Sequence, residues 1–107
     1  MPKYLIQASY THEGLKGLMK DGGSKRVRAV QEMAKSVGAK LESFYFALGE
    51  QDVYVILDVP DVETASAMSM VTNASGAVHL KTIALLSPEQ VDVAIQKPIT
   101  YTPPGGM

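Results

Sequence analysis

This chain has no cysteine, which removes disulfides, thiolate nucleophiles, zinc ribbons and thioredoxin-type chemistry, and fits a reducing compartment. Its two histidines, His12 and His79, are far apart in sequence. They offer no close set of ligands, so neither a metal nor a cofactor is expected. No apolar run approaches the ~20 residues that a membrane span needs. The start, Met1-Pro2-Lys3-Tyr4, runs straight into a strand pattern and shows no basic region followed by a long apolar stretch, so no signal peptide is expected. An excess of one charge is lacking too, because the formal net charge is −1. No basic field recruits nucleic acid or an anionic membrane. The expectation is a soluble, cytoplasmic protein without nucleic-acid or membrane partners.

What remains is an ordinary globular mixture, 46% hydrophobic and 20% charged over 107 residues, enough for one domain. Tyr4, Ile6, Ala8 and Tyr10 alternate with Leu5, Gln7 and Ser9 as a first strand. Thr11 can cap a short helix through Met19, which Asp21-Gly22-Gly23 then breaks. Ser24 is the expected cap of a second helix, with Val27, Val30, Met33, Ala34 and Val37 on its apolar side and Lys25, Arg26, Arg28, Glu32 and Lys35 opposite. Gly38 ends it. Leu41 to Leu48 and Val53 to Val59 form a hairpin around Gly49-Glu50-Gln51-Asp52, read with Leu48 opposite Val53. Asp61 caps a third helix, Val62 to Ala74, and Ala77 to Leu86 is the last strand. Ser87-Pro88-Glu89-Gln90 is a capping box that starts a final short helix. The domain spans 1–97, and 98–107 form an extended arm or tail.

The order is βαββαβ: an α+β, ferredoxin-like fold with a four-stranded antiparallel sheet, helices on one face and an extra C-terminal helix. Phe44, Phe46, Val55 and Leu57 share the face that seats the helices. Ser43, Tyr45, Tyr54, Ile56 and Asp58 share the other, with Leu5 beside them. So much apolar surface left bare is more than monomers usually carry. Two copies packed sheet to sheet would cover it at the least cost, so the expected partner is the chain itself, as a homodimer or a higher assembly. The same order occurs in RNA-binding domains, but Val53 to Val59 lacks their basic Gly-aromatic motif and stacked rings.

The run Leu41-Glu42-Ser43-Phe44-Tyr45-Phe46-Ala47-Leu48-Gly49-Glu50-Gln51-Asp52-Val53, with Val59-Pro60-Asp61, resembles the GYD domain family. So do Asn73-Ala74-Ser75-Gly76-Ala77-Val78, Lys81-Thr82 and Leu85-Leu86-Ser87-Pro88-Glu89. Thr11, Gly14 and Arg26 also stand where that pattern places a threonine, a glycine and an arginine. The resemblance covers nearly the whole chain and implies a fold that pairs as a dimeric α/β barrel. The aromatic position of the family's Gly-x-Tyr-Asp turn is Gln51 here, a departure that bears on any role needing a phenol. Related barrels include cofactor-independent oxygenases, haem-handling enzymes, lactone isomerases and ligand-sensing modules, so the fold alone does not name a reaction.

Among reactive side chains, His79 on the last strand is the candidate general base. Gln7, Ser9, Tyr45, Tyr54 and His79 are the candidate ligand-binding residues, a few polar groups on a mostly apolar face. Ser24 and Arg26, after Gly22-Gly23, are anion-binding candidates at a helix start. Gly17 and Gly22 have the four-residue gap of a phosphate loop, but Gly23 stands where that loop needs lysine. Asp52 is expected to cap its own turn, and Asp58 to meet water or Lys40. Two readings follow. The first is a dimeric binding or regulatory module taking a small apolar or aromatic ligand between its sheets. The second is a cofactor-independent oxygenase or isomerase acting on an aromatic or lactone-like substrate through His79 with Tyr45 or Tyr54.

Overall fold

The computed structural model describes residues 1–106. Its elements run β1 (Lys3–Tyr10), α1 (His12–Asp21), α2 (Gly23–Ser36), β2 (Lys40–Phe46), β3 (Val53–Asp58), α3 (Val62–Ala74), β4 (Val78–Leu85) and α4 (Pro88–Ala94). The four strands form one antiparallel sheet in the order β2-β3-β1-β4, the ferredoxin-like arrangement expected from the βαββαβ pattern. α2 lies along β2 and α3 along β4, while α1 packs against α2 and the end of β1. Tyr4, Ala8, Val53, Val55 and Leu57 of the sheet, with Val59 just beyond β3, bury themselves against Ala34, Ala65 and Met68 of the helices. Ala34 and Ala65 keep the layers close, because their small side chains admit the backbone of a helix near the sheet.

Two junctions hold the helices in place. The Thr11 side chain accepts the Gly14 amide at 3.1 Å and its hydroxyl donates to the Gly76 carbonyl at 2.8 Å, so one residue both caps α1 and ties it to the turn before β4. The approach is so close that a Cβ on Gly14 would fall 1.9 Å from the Ala77 carbonyl oxygen. Only glycine fits there. At the other junction Gly22, at φ 87°, closes α1 through its amide on the Leu18 carbonyl and is itself the N-cap of α2. Ser24 therefore does not cap the helix as expected. The positive φ of Gly22 starts α2 earlier and leaves Ser24 exposed in its first turn.

The hairpin has the expected faces in a different register. Phe46 stands opposite Val53 and Tyr45 opposite Tyr54. Relative to the Leu48–Val53 reading this is a slip of two residues, which leaves every side chain on its predicted side. The loop closes early because the Ala47 amide bonds the Asp52 carbonyl at 2.8 Å, with Gly49 at φ 140° at the bend. Leu48 becomes an exposed loop tip. A bulge between Leu41 and Ser43 then turns Leu41 onto the helix side opposite Leu57, where it packs against the core.

The bulged residue, Glu42, meets Lys3, which also bonds Asp58 at 2.8 Å. Asp58 thus pairs with Lys3, its cross-strand neighbour on β1, and not with Lys40. α4 has its predicted capping box and proline start. Every described residue from Leu86 onward is exposed, Val91, Ile95, Ile99 and Tyr101 included.

Candidate functional site

The bare side of the sheet collects its side chains in straight cross-strand rows. Tyr45 pairs with Tyr54, Tyr54 with Gln7 and Gln7 with Lys81, so two phenols, an amide and an ammonium cross all four strands in line. The next row in one direction is Ser43, Ile56, Leu5 and Ile83, largely apolar. In the other direction Ser9 faces His79. Beyond the apolar row lies the Lys3, Glu42 and Asp58 ion cluster. Hydrogen bonds to Asp58 and then Glu42 hold the Lys3 ammonium above its ordinary range. All five predicted ligand-binding residues thus lie on one face, because each occupies the same parity of an alternating strand.

Their mutual reach is limited. Tyr45 is 72% exposed and stands on one edge strand, while His79 stands exposed on the other. Three strand spacings separate those edges, about 14 Å. The Ser9 hydroxyl donates to Gln51 Oε1 at 3.1 Å, so the glutamine of the hairpin loop anchors the corner of this face. Asp52 does not cap its own turn. Its Oδ2 accepts the Tyr10 amide at 2.9 Å and fastens the loop to β1. Within one protomer the face can donate and accept hydrogen bonds along a flat apolar strip. His79, the candidate base, makes no side-chain hydrogen bond among the described residues, so it lacks the orienting partner usual in proton-transfer chemistry. No group of three or more histidine, aspartate or glutamate side chains could hold a metal ion among the described residues.

The anion-binding candidates lie on the opposite side, and the structure separates them. Ser24 points to solvent, whereas Arg26 is half-buried and lines two cavities. A chamber of about 60 Å³ lies between the sheet and helices α2 and α3, and a groove of about 260 Å³ runs between α1 and α2. They meet at Tyr10, Arg26 and Val78, which line both. None of the five open-face candidates lines either cavity. Burial pushes the Tyr10 phenol above its ordinary range, and the Asp52 charge adds to this, while the neighbouring Arg26 guanidinium works against it. Lys25, beside Arg26, pairs with Asp21 at 3.7 Å on the surface.

Sequence reasoning set Arg26 on the solvent side of its helix and gave Tyr10 no role in a site. A signal was present: Arg26 precedes Val30 by four residues, which in turn precedes Ala34 by four, and both are buried. Arg26 therefore begins the inward stripe.

Against known families, a family model described as GYD domain matches residues 4–95. The chain belongs to the GYD domain family. No curated protein and no solved structure matches it.

Proposed function

We propose that this member of the GYD domain family is a homodimeric binding module that encloses a small apolar or aromatic ligand between two sheets and performs no chemistry on it. The observation that carries this reading is the uncovered row Tyr45, Tyr54, Gln7 and Lys81, flanked by Leu5, Ile56 and Ile83. Such a strip is apolar enough to require cover and polar enough to orient what lies on it. A four-stranded patch measures roughly 19 by 26 Å, so two copies would bury on the order of 1,000 Å² of surface. That is the lower bound for a specific interface, and a ligand caught between the sheets would add to it. An oxygenase or isomerase would need His79 beside Tyr45 or Tyr54, and strand separations of ~14 Å to Tyr45 and ~10 Å to Tyr54 within one protomer speak for binding over proton relay.

Sedimentation of the chain at micromolar concentration tests the assembly, with a species of twice 11.5 kDa expected. A single 11.5 kDa species overturns it. Thermal-shift screening with aromatic acids and haem tests the ligand. Tyr45→Phe and His79→Ala that leave both stability and binding unchanged would remove this face as the binding site.

A further inference from the structure

The helix side of the sheet encloses a cavity that shares no lining residue with the open-face candidates. Its chamber of about 60 Å³ is walled by Ile6, Val30, Met33, Phe44, Met68 and Leu80. The Ser69, Thr72 and Thr82 hydroxyls on its wall are already engaged: Ser69 bonds Thr82, and Thr72 donates to the Met68 carbonyl at 2.8 Å. Where the chamber opens into the α1–α2 groove, its polar groups are the Tyr10 phenol and the neighbouring Arg26 guanidinium, which face each other, while the Tyr4 phenol lines only the chamber. Arg26 is half-buried, yet it forms no ion pair among the described residues. A cation withdrawn from water without a counter-charge is costly, and a bound anion would relieve that cost.

We propose that this junction binds a short aliphatic carboxylic acid, its carboxylate on Arg26 and Tyr10 and its hydrocarbon end in the chamber. Size sets the class. A dry cavity of about 150 Å³ admits benzene, so 60 Å³ takes roughly two-fifths of that hydrocarbon, about two to three carbons. Met33 and Met68 on the wall can yield a little more. An acid of four to six carbons fits, and aromatic acids do not enter. The groove supplies Lys25 as a further cation, already held by Asp21, and Glu13 as an opposing charge. Asp52 stands beyond Tyr10. These carboxylates limit the site to one negative charge.

The test is a titration of the intact chain with isovalerate, followed by methyl NMR. Saturable shifts are expected at Val30, Leu80 and Met68, and none at Leu5, Ile56 or Ile83 on the open face. Isoamyl alcohol, the same hydrocarbon without the charge, is expected to bind at least about tenfold more weakly. Arg26→Gln is expected to erase that difference, while Lys25→Gln keeps it. Equal affinity for acid and alcohol in the unaltered chain overturns the proposal even if the Arg26 variant does not fold. So do shifts confined to the open face, which would instead support the sheet-to-sheet site, or no saturable shift at millimolar acid.

Discussion

Asp52 holds the end of β1 twice, accepting the Tyr10 amide on its side chain and giving its own amide to the Ala8 carbonyl, both at 2.9 Å. The hairpin loop is therefore part of β1, one of the sheet's two inner strands, in energetic terms. Asp52→Ala leaves the Tyr10 amide half-buried and without its acceptor, at a cost of roughly 1–3 kcal/mol. Asp52→Asn keeps an acceptor oxygen and is expected to recover most of the loss. Urea denaturation of the two variants reads the difference, and equal stabilities would remove Asp52 from this role.

Two glycines of α1 separate space from propensity. Gly14→Ala drives a methyl into the Ala77 carbonyl, and a loss of about 1–3 kcal/mol is expected from overpacking. Gly17 has nothing within 4 Å of a would-be Cβ, so Gly17→Ala is expected to stabilise by roughly 0.5–1 kcal/mol through helix propensity. The same denaturation curves check both signs.

Asp61 caps α3 by accepting the Thr64 amide at 2.7 Å. The Thr64 side chain first, and this amide bond after it, hold the Asp61 carboxyl below the ordinary value of 3.8. Since the folded pKa lies below the unfolded one, the contribution is full above about pH 4 and is lost as pH falls through the folded value. Asp61→Asn also caps but does not titrate, so its melting temperature is expected to fall less steeply below pH 4 than that of the parent chain. Parallel slopes would count against the cap.

If two sheets meet, Tyr54→Lys places a charge at the centre of each. The circular dichroism of the fold is expected to persist, because Tyr54 points away from the core, while sedimentation reports monomer. A dimer that survives this change is built on some other surface.

The arm makes a complementary prediction. Residues 98–106 are wholly exposed, so a chain ending at Lys97 is expected to unfold within about 0.5 kcal/mol of the full one. Weakened self-association in that shorter chain would show that the apolar Ile99 and Tyr101 rest on a second copy.

The elements and their faces were legible because they depend on periodicity and caps. Asp61, Pro60 and Gly76 bound α3 within a residue, and alternation assigned Tyr45, Tyr54, Gln7, Ser9 and His79 to one face. What alternation cannot report is a shift that preserves parity, so the two-residue slip at Phe46–Val53 was invisible. The bulge at Glu42 carries no composition signal of its own, and with it went the placement of Leu41 and the partner of Asp58. Arg26 was hidden for a different reason. A charged residue at the start of an inward stripe reads as solvent-facing until the strand end beneath it, Tyr10, is known to lie there.

Ser9 and Tyr10 are consecutive in β1 and belong to opposite sides of the sheet. Gln51 and Asp52 are consecutive too, and they clasp those two residues in turn, Gln51 at the Ser9 hydroxyl and Asp52 at the Tyr10 amide. A guest that pushes on Tyr10 from the chamber loads the same four-residue buckle that sets Ser9 on the far side. Were a guest bound behind the sheet and a second copy paired in front of it, the two would share one mechanical hinge point, a single peptide link thick.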